Sequence, residues 1–210
     1  SYQINNLKIT KNFAILYGIL LGDGCLSNTS KARYICITCD RYSDKELFKK
    51  LTPIIEKIRG KKSKIKDRGT HGTIEIKFSD KKMFETFKKI GFPVGKKGVN
   101  LFIPKIFKNH LKEVIQGHFA TDGCVVITNN NGIRYPRIEF SSISKGLLEQ
   151  INKYLINSNI RSKIYLSKRY TNGWNNLYRI QINGKKQLCI FEEKIGFFNP
   201  KHKKIADSFK

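Results

Sequence analysis

The chain has 210 residues, 40% of them hydrophobic and 27% charged, a composition that suits a folded protein with one or two cores and excludes collagen, low-complexity and disordered architectures. Its charge is unusual, with 41 Lys and Arg against 16 Asp and Glu for a formal +25. Self-repulsion on that scale destabilises a compact chain unless a polyanion neutralises it, which points to nucleic acid and leaves a structural ribosomal or chromatin role as the plainer alternative.

The first predicted element is a helix over Phe13 to Gly22, apolar on every side, which suits a buried helix rather than a surface one. It has about half the roughly 20 residues that a membrane span needs, so no membrane partner is expected, and neither is a secretory leader. Strands follow at Cys25 to Thr29 and Tyr34 to Thr38, then a helix from Ser43 to Ile58 opened by a serine able to cap its free amides. Two short strands alternate Lys64, Lys66 and Arg68 with Ile65, then Glu75 and Lys77 with Ile74, Ile76 and Phe78, and a helix covers Asp80 to Ile90. The Gly- and Pro-rich stretch Pro93 to Pro104 reads as a linker.

The second half repeats the first. LYGILLGDGC at Leu16 to Cys25 returns as IQGHFATDGC at Ile115 to Cys124, so Gly18, Asp23, Gly24 and Cys25 answer to Gly117, Asp122, Gly123 and Cys124 at an offset of 99. SDKELFKKL (Ser43 to Leu51) matches SKGLLEQI (Ser144 to Ile151), KSKIK (Lys62 to Lys66) matches RSKIY (Arg161 to Tyr165), and FKKIGF (Phe87 to Phe92) matches EEKIGF (Glu192 to Phe197). Collinear matches of this kind indicate two fused copies of one unit. The second copy places strands at Cys124 to Thr128 and Arg137 to Ser142, a helix at Ser144 to Asn157, strands alternating Lys163 and Tyr165 with Ile164 and Leu166 and Arg179 and Gln181 with Ile180 and Ile182, and a helix at Gly184 to Ile195. The halves are expected to span residues 1–98 and 99–210, joined around 93–110. One face of each sheet is apolar and packs on helices, and the other displays Lys, Arg, Gln, Tyr and Ser as the expected nucleic-acid surface.

The five cysteines (Cys25, Cys36, Cys39, Cys124, Cys189) are odd in number and irregularly spaced, a poor disulfide framework that suggests a reducing intracellular compartment. Cys36 and Cys39 form a C-x-x-C, but with no second pair and within a strand-like run they are not read as a zinc site.

A single Asp-Gly after a helix is most simply a turn. Here it occurs twice, each time on a helix whose glycines (Gly18 and Gly22, and Gly117) permit close packing. If the two helices pack about a pseudo-twofold axis, Asp23 and Asp122 emerge together at unfavourable helix-dipole ends. A divalent cation held by the carboxylates, free helix-end carbonyls and water would relieve that conflict, and Mg²⁺ suits such hard ligands.

At these residues the sequence resembles the LAGLIDADG homing endonuclease family in its single-chain form with two motifs, Leu16 to Gly24 and Ile115 to Gly123. The resemblance spans about Phe13 to Lys204. It implies an α+β fold of two pseudo-symmetric αββαββα units, the motif helices forming the interface and two saddle-shaped antiparallel sheets lying in the DNA major groove. It further implies double-strand cleavage with divalent metal, Mg²⁺ by default with Mn²⁺ or Ca²⁺ substituting for binding. Asp23 and Asp122 would be the metal-binding catalytic acids, with the carbonyls of Gly22 and Thr121 assisting. Leu21 and Ala120 replace the motif's first Asp, and Thr121 is bulkier than the usual small residue. The family's basic residue near the end of each half falls on Lys97 in the first copy. In the second, NPKHKK (Asn199 to Lys204) sets His202 opposite Lys97 between Lys201 and Lys203, and Lys201 is the candidate.

For DNA reading the polar face offers Lys64, Lys66, Arg68, Glu75 and Lys77 in the first copy, and Arg137, Glu139, Ser141, Lys163, Tyr165, Arg179 and Gln181 in the second. The loop Arg169 to Asn176 is placed to reach a flanking backbone, with Trp174 alternatively covering the sheet edge. The expected activity is that of a monomeric, site-specific DNA endonuclease acting on an asymmetric pseudo-palindromic site of about 20 bp. Its compartment would be an organelle (mitochondrion or chloroplast) or a prokaryotic cytoplasm, and its length favours an intron-encoded or free-standing enzyme over an intein. The alternatives are an RNA maturase with intron RNA as partner and a non-cleaving DNA-binding regulator.

Overall fold

A computed structural model describes residues 3–4, 7–30, 32–68, 71–168 and 172–209. A short hairpin of β1 (Gln3–Ile4) and β2 (Leu7–Lys8) precedes the first unit. That unit runs α1 (Lys11–Asp23), β3 (Gly24–Asn28), β4 (Arg33–Asp40), α2 (Lys45–Arg59), β5 (Ile65–Arg68), β6 (Thr73–Ser79) and α3 (Lys81–Lys89). After a 3₁₀ turn at Lys105–Phe107 the second runs α4 (Leu111–Asp122), β7 (Gly123–Asn130), β8 (Ile133–Ser142), α5 (Lys145–Asn157), β9 (Lys163–Lys168), β10 (Leu177–Asn183) and α6 (Lys185–Lys194), with α7 (Pro200–Asp207) added. Both sheets are antiparallel with matching strand orders, β3-β4-β6-β5 and β7-β8-β10-β9. The α+β fold of two αββαββα units is therefore present, with the hairpin and α7 as additions that the repeat did not predict.

The strand periodicity worked because one face is dry. Ile35, Ile37, Ile74, Ile76 and Phe78 in the first sheet, and Ile138, Phe140, Ile180 and Ile182 in the second, are buried. Edge strand β5 departs from the pattern, since all four residues are exposed and Ile65 keeps 39% of its surface. An aromatic cluster closes each core: Tyr17 against Phe107 at 4.7 Å, and Phe119 against Phe140 at 4.9 Å and Phe191 at 5.2 Å.

Every residue of α1 from Phe13 to Leu21 is buried, because α1 packs on its own sheet and on α4. The crossing leaves no room for side chains. A Cβ on Gly18 would run into the Val114 carbonyl, one on Gly117 into that of Ile15, and one on Gly22 into the Thr121 hydroxyl. Thr121 is thus accommodated opposite a glycine, with its hydroxyl turned to donate to the His118 carbonyl at 3.2 Å.

The serines expected to cap α2 and α5 do something else. Asp44 holds the N-cap position of α2 without a side-chain cap bond, and the Ser144 hydroxyl accepts from the Leu101 amide at 2.7 Å and donates to the Val99 carbonyl. In this way each unit grips the other's tail: Gln150 pairs with the Ile103 backbone at 2.7 and 3.1 Å, and Lys50 donates to the Phe198 carbonyl at 2.8 Å. The linker from Pro93 accordingly contributes buried Leu101 and Ile103 to the core.

Helix propensity alone would make Gly18→Ala stabilising by about 1 kcal/mol. The crossing reverses that sign, and urea unfolding is expected to show a loss of about 1–3 kcal/mol as the helices separate. An unchanged or raised midpoint would refute the backbone contact.

Candidate active site

α1 and α4 each end in aspartate followed by a glycine that starts a strand, Gly24 and Gly123, both extended at their caps. Because the helices cross so closely, the two carboxylates share one end of the pair. Asp23 is held above its ordinary value by burial and then by the charge of Asp122, and burial raises Asp122 to about 6. Cys39, one strand in, donates its thiol to Asp23 Oδ2 at 3.3 Å. Ring nitrogen Nε2 of fully buried His118 lies 3.7 Å from Asp122 Oδ2, and burial holds that imidazole at about 4, neutral at pH 7.

Lys97 is the cation these acids face. Its Nζ donates to the carbonyls of Leu20 at 3.3 Å, Leu21 at 3.1 Å and Gly22 in the last turn of α1, where that of Leu20 also accepts the Gly24 cap amide. Burial pulls its pKa down while Asp122 and Asp23 push it back up. Neighbouring Lys96 is exposed.

The second half is built differently. The pseudo-symmetric mate of Leu21 is Ala120, and its carbonyl is met by the amide of Asn199 at 2.9 Å instead of by an ammonium. Lys201 stands beside it and pairs with Asp44 at 2.6 Å. On α7 the residues 201–203 point in three directions, being a third of a turn apart. His202 goes into the core, 2% exposed and 4.8 Å from the Phe119 ring, and Lys203 goes outward to Glu192 and Asp207, both at 2.6 Å. Sequence repeat set His202 opposite Lys97; the helix turns it away, while the charge of Lys201 reaches the thiols of Cys39 and Cys124.

The polar sheet faces flank this centre. Register puts Lys66, Arg68, Glu75 and Lys77 on one face of the first sheet, and Arg137, Glu139, Ser141, Lys163, Tyr165, Arg179 and Gln181 on one face of the second. Lys64 lies just before β5 and is exposed. Glu75 and Glu139 are only 6% exposed and already committed. Glu75 accepts from Arg68 at 2.9 Å and from the Cys36 thiol at 3.1 Å. Glu139 accepts from Gln181 at 2.7 Å and pairs with Arg179 at 3.1 Å and Arg137 at 3.6 Å. These acids orient their basic neighbours rather than offering themselves to bases. Arg169 and two residues after it lie outside the described residues, and Trp174 is 74% exposed.

All five cysteines are free. Cys36 faces Glu75 on the polar side while Cys39 faces Asp23 on the other, so the C-x-x-C cannot converge on one metal. Among the described residues no group of three or more His, Cys, Asp or Glu side chains is placed to hold an ion. A hard cation at this centre would rest on Asp23, Asp122, backbone oxygens and ligands from solvent or substrate, and two carboxylates held protonation-prone by burial, Asp23 also by the charge of Asp122, fit such a role.

Residues 109–196 match the family model described as a LAGLIDADG-like domain. The chain is a LAGLIDADG-fold protein. Solved structures agree over both halves: I-DmoI in complex with DNA and Ca has 21% identity and a TM-score of 0.61 over 88% of each chain. The I-LtrWI LAGLIDADG homing endonuclease bound to target DNA has 13% identity and a TM-score of 0.64, covering 94% of this chain and 88% of its own. Two curated relatives are probable translation initiation factors IF-2, from Methanocaldococcus jannaschii (32% identical over 200 residues) and Thermococcus kodakarensis (24% over 190). Each match covers 88% of this chain but only 15% and 14% of the relative's length.

Asp44, Asn199, Cys39 and His118 are the site residues that sequence reasoning missed. Asn199 had a local signal, since Asn before Pro is a strong helix start, and it does cap α7. The others are defined only by packing.

The acids also fix a stability signature. Asp122 has an ordinary value of 3.8 and ionises near 6 in the fold, so between those values the folded state binds more protons and stability falls as pH rises. Without divalent cation, Asp122→Asn is expected to stabilise the protein by about 1–2 kcal/mol near pH 7.5, the gain vanishing toward pH 4. A gain equal at both pH values in thermal melts would sink this account.

Proposed function

We propose that the chain is a site-specific DNA endonuclease that hydrolyses phosphodiesters in both strands of a long, asymmetric duplex target. The observation that carries this reading is the convergence of Asp23, Asp122 and Lys97 at one end of the α1–α4 pair, between two polar sheet faces. One chain supplies both acids, so a monomer suffices. Asp23, Asp122 and helix-end carbonyls would hold a divalent cation, Mg²⁺ by default, which when bound would supply activation of water and charge neutralisation. The residues do the rest: Asp23 and Asp122 provide anionic oxygens, Lys97 stabilises charge at the scissile phosphates, and Lys201 is the corresponding cation of the second half. Arg68, Lys77, Arg137, Arg179 and Gln181 are suited to base edges in the major groove, with the remaining lysines on phosphates. The DNA complexes of I-DmoI and I-LtrWI support a duplex of the same kind as the partner.

Length is no argument against a nuclease carried within a host polypeptide, because the curated relatives match this chain over a small part of much longer proteins. We therefore infer that the unit functions equally as an insertion, and the preference for an intron-encoded or free-standing enzyme does not stand on length.

Cleavage of a plasmid library with Mg²⁺ tests the reading. Site-specific double-strand breaks are expected from the native chain, with Asp23→Asn or Asp122→Asn lowering the rate by on the order of 10³-fold or more. Intact DNA alongside tight binding of intron RNA would replace it with the maturase. On the recovered target, replacing Lys77 and Arg179 together by Ala is expected to weaken binding by about 1–3 kcal/mol per lost base contact and to relax sequence preference. Unchanged affinity and preference would remove the sheet faces as the reading surface.

A further inference from the structure

Asp44 is a buried carboxylate that none of the roles above employs. It stands at the start of α2 in the first half and is 6% exposed, yet both of its strong partners come from the second half: Lys201 Nζ at 2.6 Å and Asn199 Nδ2 at 2.8 Å. Ser43 adds a longer contact to each side, donating to Asp44 at 3.4 Å and accepting from Lys201 at 3.4 Å. Asn199 in turn reaches the Ala120 carbonyl, two residues before Asp122. A connected set of hydrogen bonds thus runs from Lys201 through Asp44 and Asn199 to the end of α4, the two on Asp44 being charge-assisted.

The first half has no such device. By the repeat, Ser43 answers to Ser144, so Asp44 answers to Lys145, an exposed lysine paired with Glu149 on its own helix. Lys97 is held instead by three backbone carbonyls and faces both acids directly. The two basic residues therefore differ in their support: one rests on the end of its helix, and the other on a carboxylate lent across the pseudo-twofold axis.

We propose that Asp44 is a positioning residue for the second cleavage centre, fixing Lys201 so that the two centres are unequal and depend on different residues. The proposal rests on the endonuclease reading. An ammonium on a four-carbon stem has many rotamers, and a buried acid with a second donor already on it restricts Lys201 to one of them. Removing the charge while keeping the shape frees the lysine without removing it. One strand's cleavage then slows and the other's does not.

The test uses the full chain, Mg²⁺ and a duplex carrying the target recovered from the plasmid library, labelled separately on each strand so that the two nicks are timed independently. Asp44→Asn is expected to slow one strand by on the order of 10- to 100-fold and leave the other within about twofold. Lys201→Met is expected to slow the same strand, Asp44→Glu to restore it in part, and the Asp44→Asn, Lys201→Met double variant to be no slower than Lys201→Met alone. A merely structural role predicts instead that both strands slow together, or that the losses add; either result overturns the proposal. Lys201 is partly exposed, so Lys201→Met remains informative if Asp44→Asn does not fold, and equal loss on both strands from it alone also overturns the proposal. A native chain that nicks neither strand overturns the endonuclease reading and this inference with it, whereas native cleavage with unselective variants overturns only the inference.

Discussion

Where α1 crosses α4, Gly18 lies against the Val114 backbone and Gly117 against that of Ile15, so that no side chain separates the helices. That contact sets the spacing of everything at their C-terminal ends. A wider crossing would part Asp23 from Asp122 and take Lys97, which binds the carbonyls of α1, away from the acid on α4. It would also splay the sheets, because β3 and β7 begin at the residue after each acid. The site and the spacing of its two flanking faces thus have one mechanical origin.

The same crossing makes the centre electrostatically unfavourable. Two carboxylates sit at the negative ends of two helix dipoles, partly buried and repelling each other. Lys97 offsets part of this while itself being desolvated. The remainder is not relieved by the protein: neutral His118 and the Cys39 thiol are weak neighbours for charged acids. A bound cation would relieve that conflict, and an unfavourable arrangement kept in this way is the expected state of a preorganised site rather than of a structural ion pair.

Much of the fold was legible because it is local. The offset of 99 between the two Asp-Gly motifs, the period-two strands and the all-apolar helix over Phe13 to Gly22 depend on residues near one another in sequence, and each appears in the structure within a few positions. What escaped depends on contacts between residues far apart in the chain. Ser144 reads as a helix cap, yet its hydroxyl goes to the Val99–Leu101 backbone. His202 aligns with Lys97, yet the phase of α7 buries it against Phe119. Glu75 and Glu139 alternate correctly onto the polar faces, but whether an acid there meets bases or holds its neighbours depends on cross-strand arginines that only register reveals. Asp44 is one more acid in a chain with 16 until the second half folds onto it.

The two halves share a topology without sharing an electrostatic plan. On the first sheet the buried acid is Glu75 on β6, tied to Arg68 on the edge strand; on the second it is Glu139 on β8, tied to Arg137, Arg179 and Gln181 across two strands. A carboxylate buried among three donors cannot release one without strengthening its hold on the others or being left under-satisfied. The donors of the second face are therefore a coupled set, whereas Lys77 of the first face rests on the Tyr34 ring at 4.6 Å and, among the described residues, has no ion pair with an acid. On the endonuclease reading proposed above, this difference and the unequal support of Lys97 and Lys201 would make a symmetric target a poor match, because identical half-sites would ask the same of two surfaces that are not built alike.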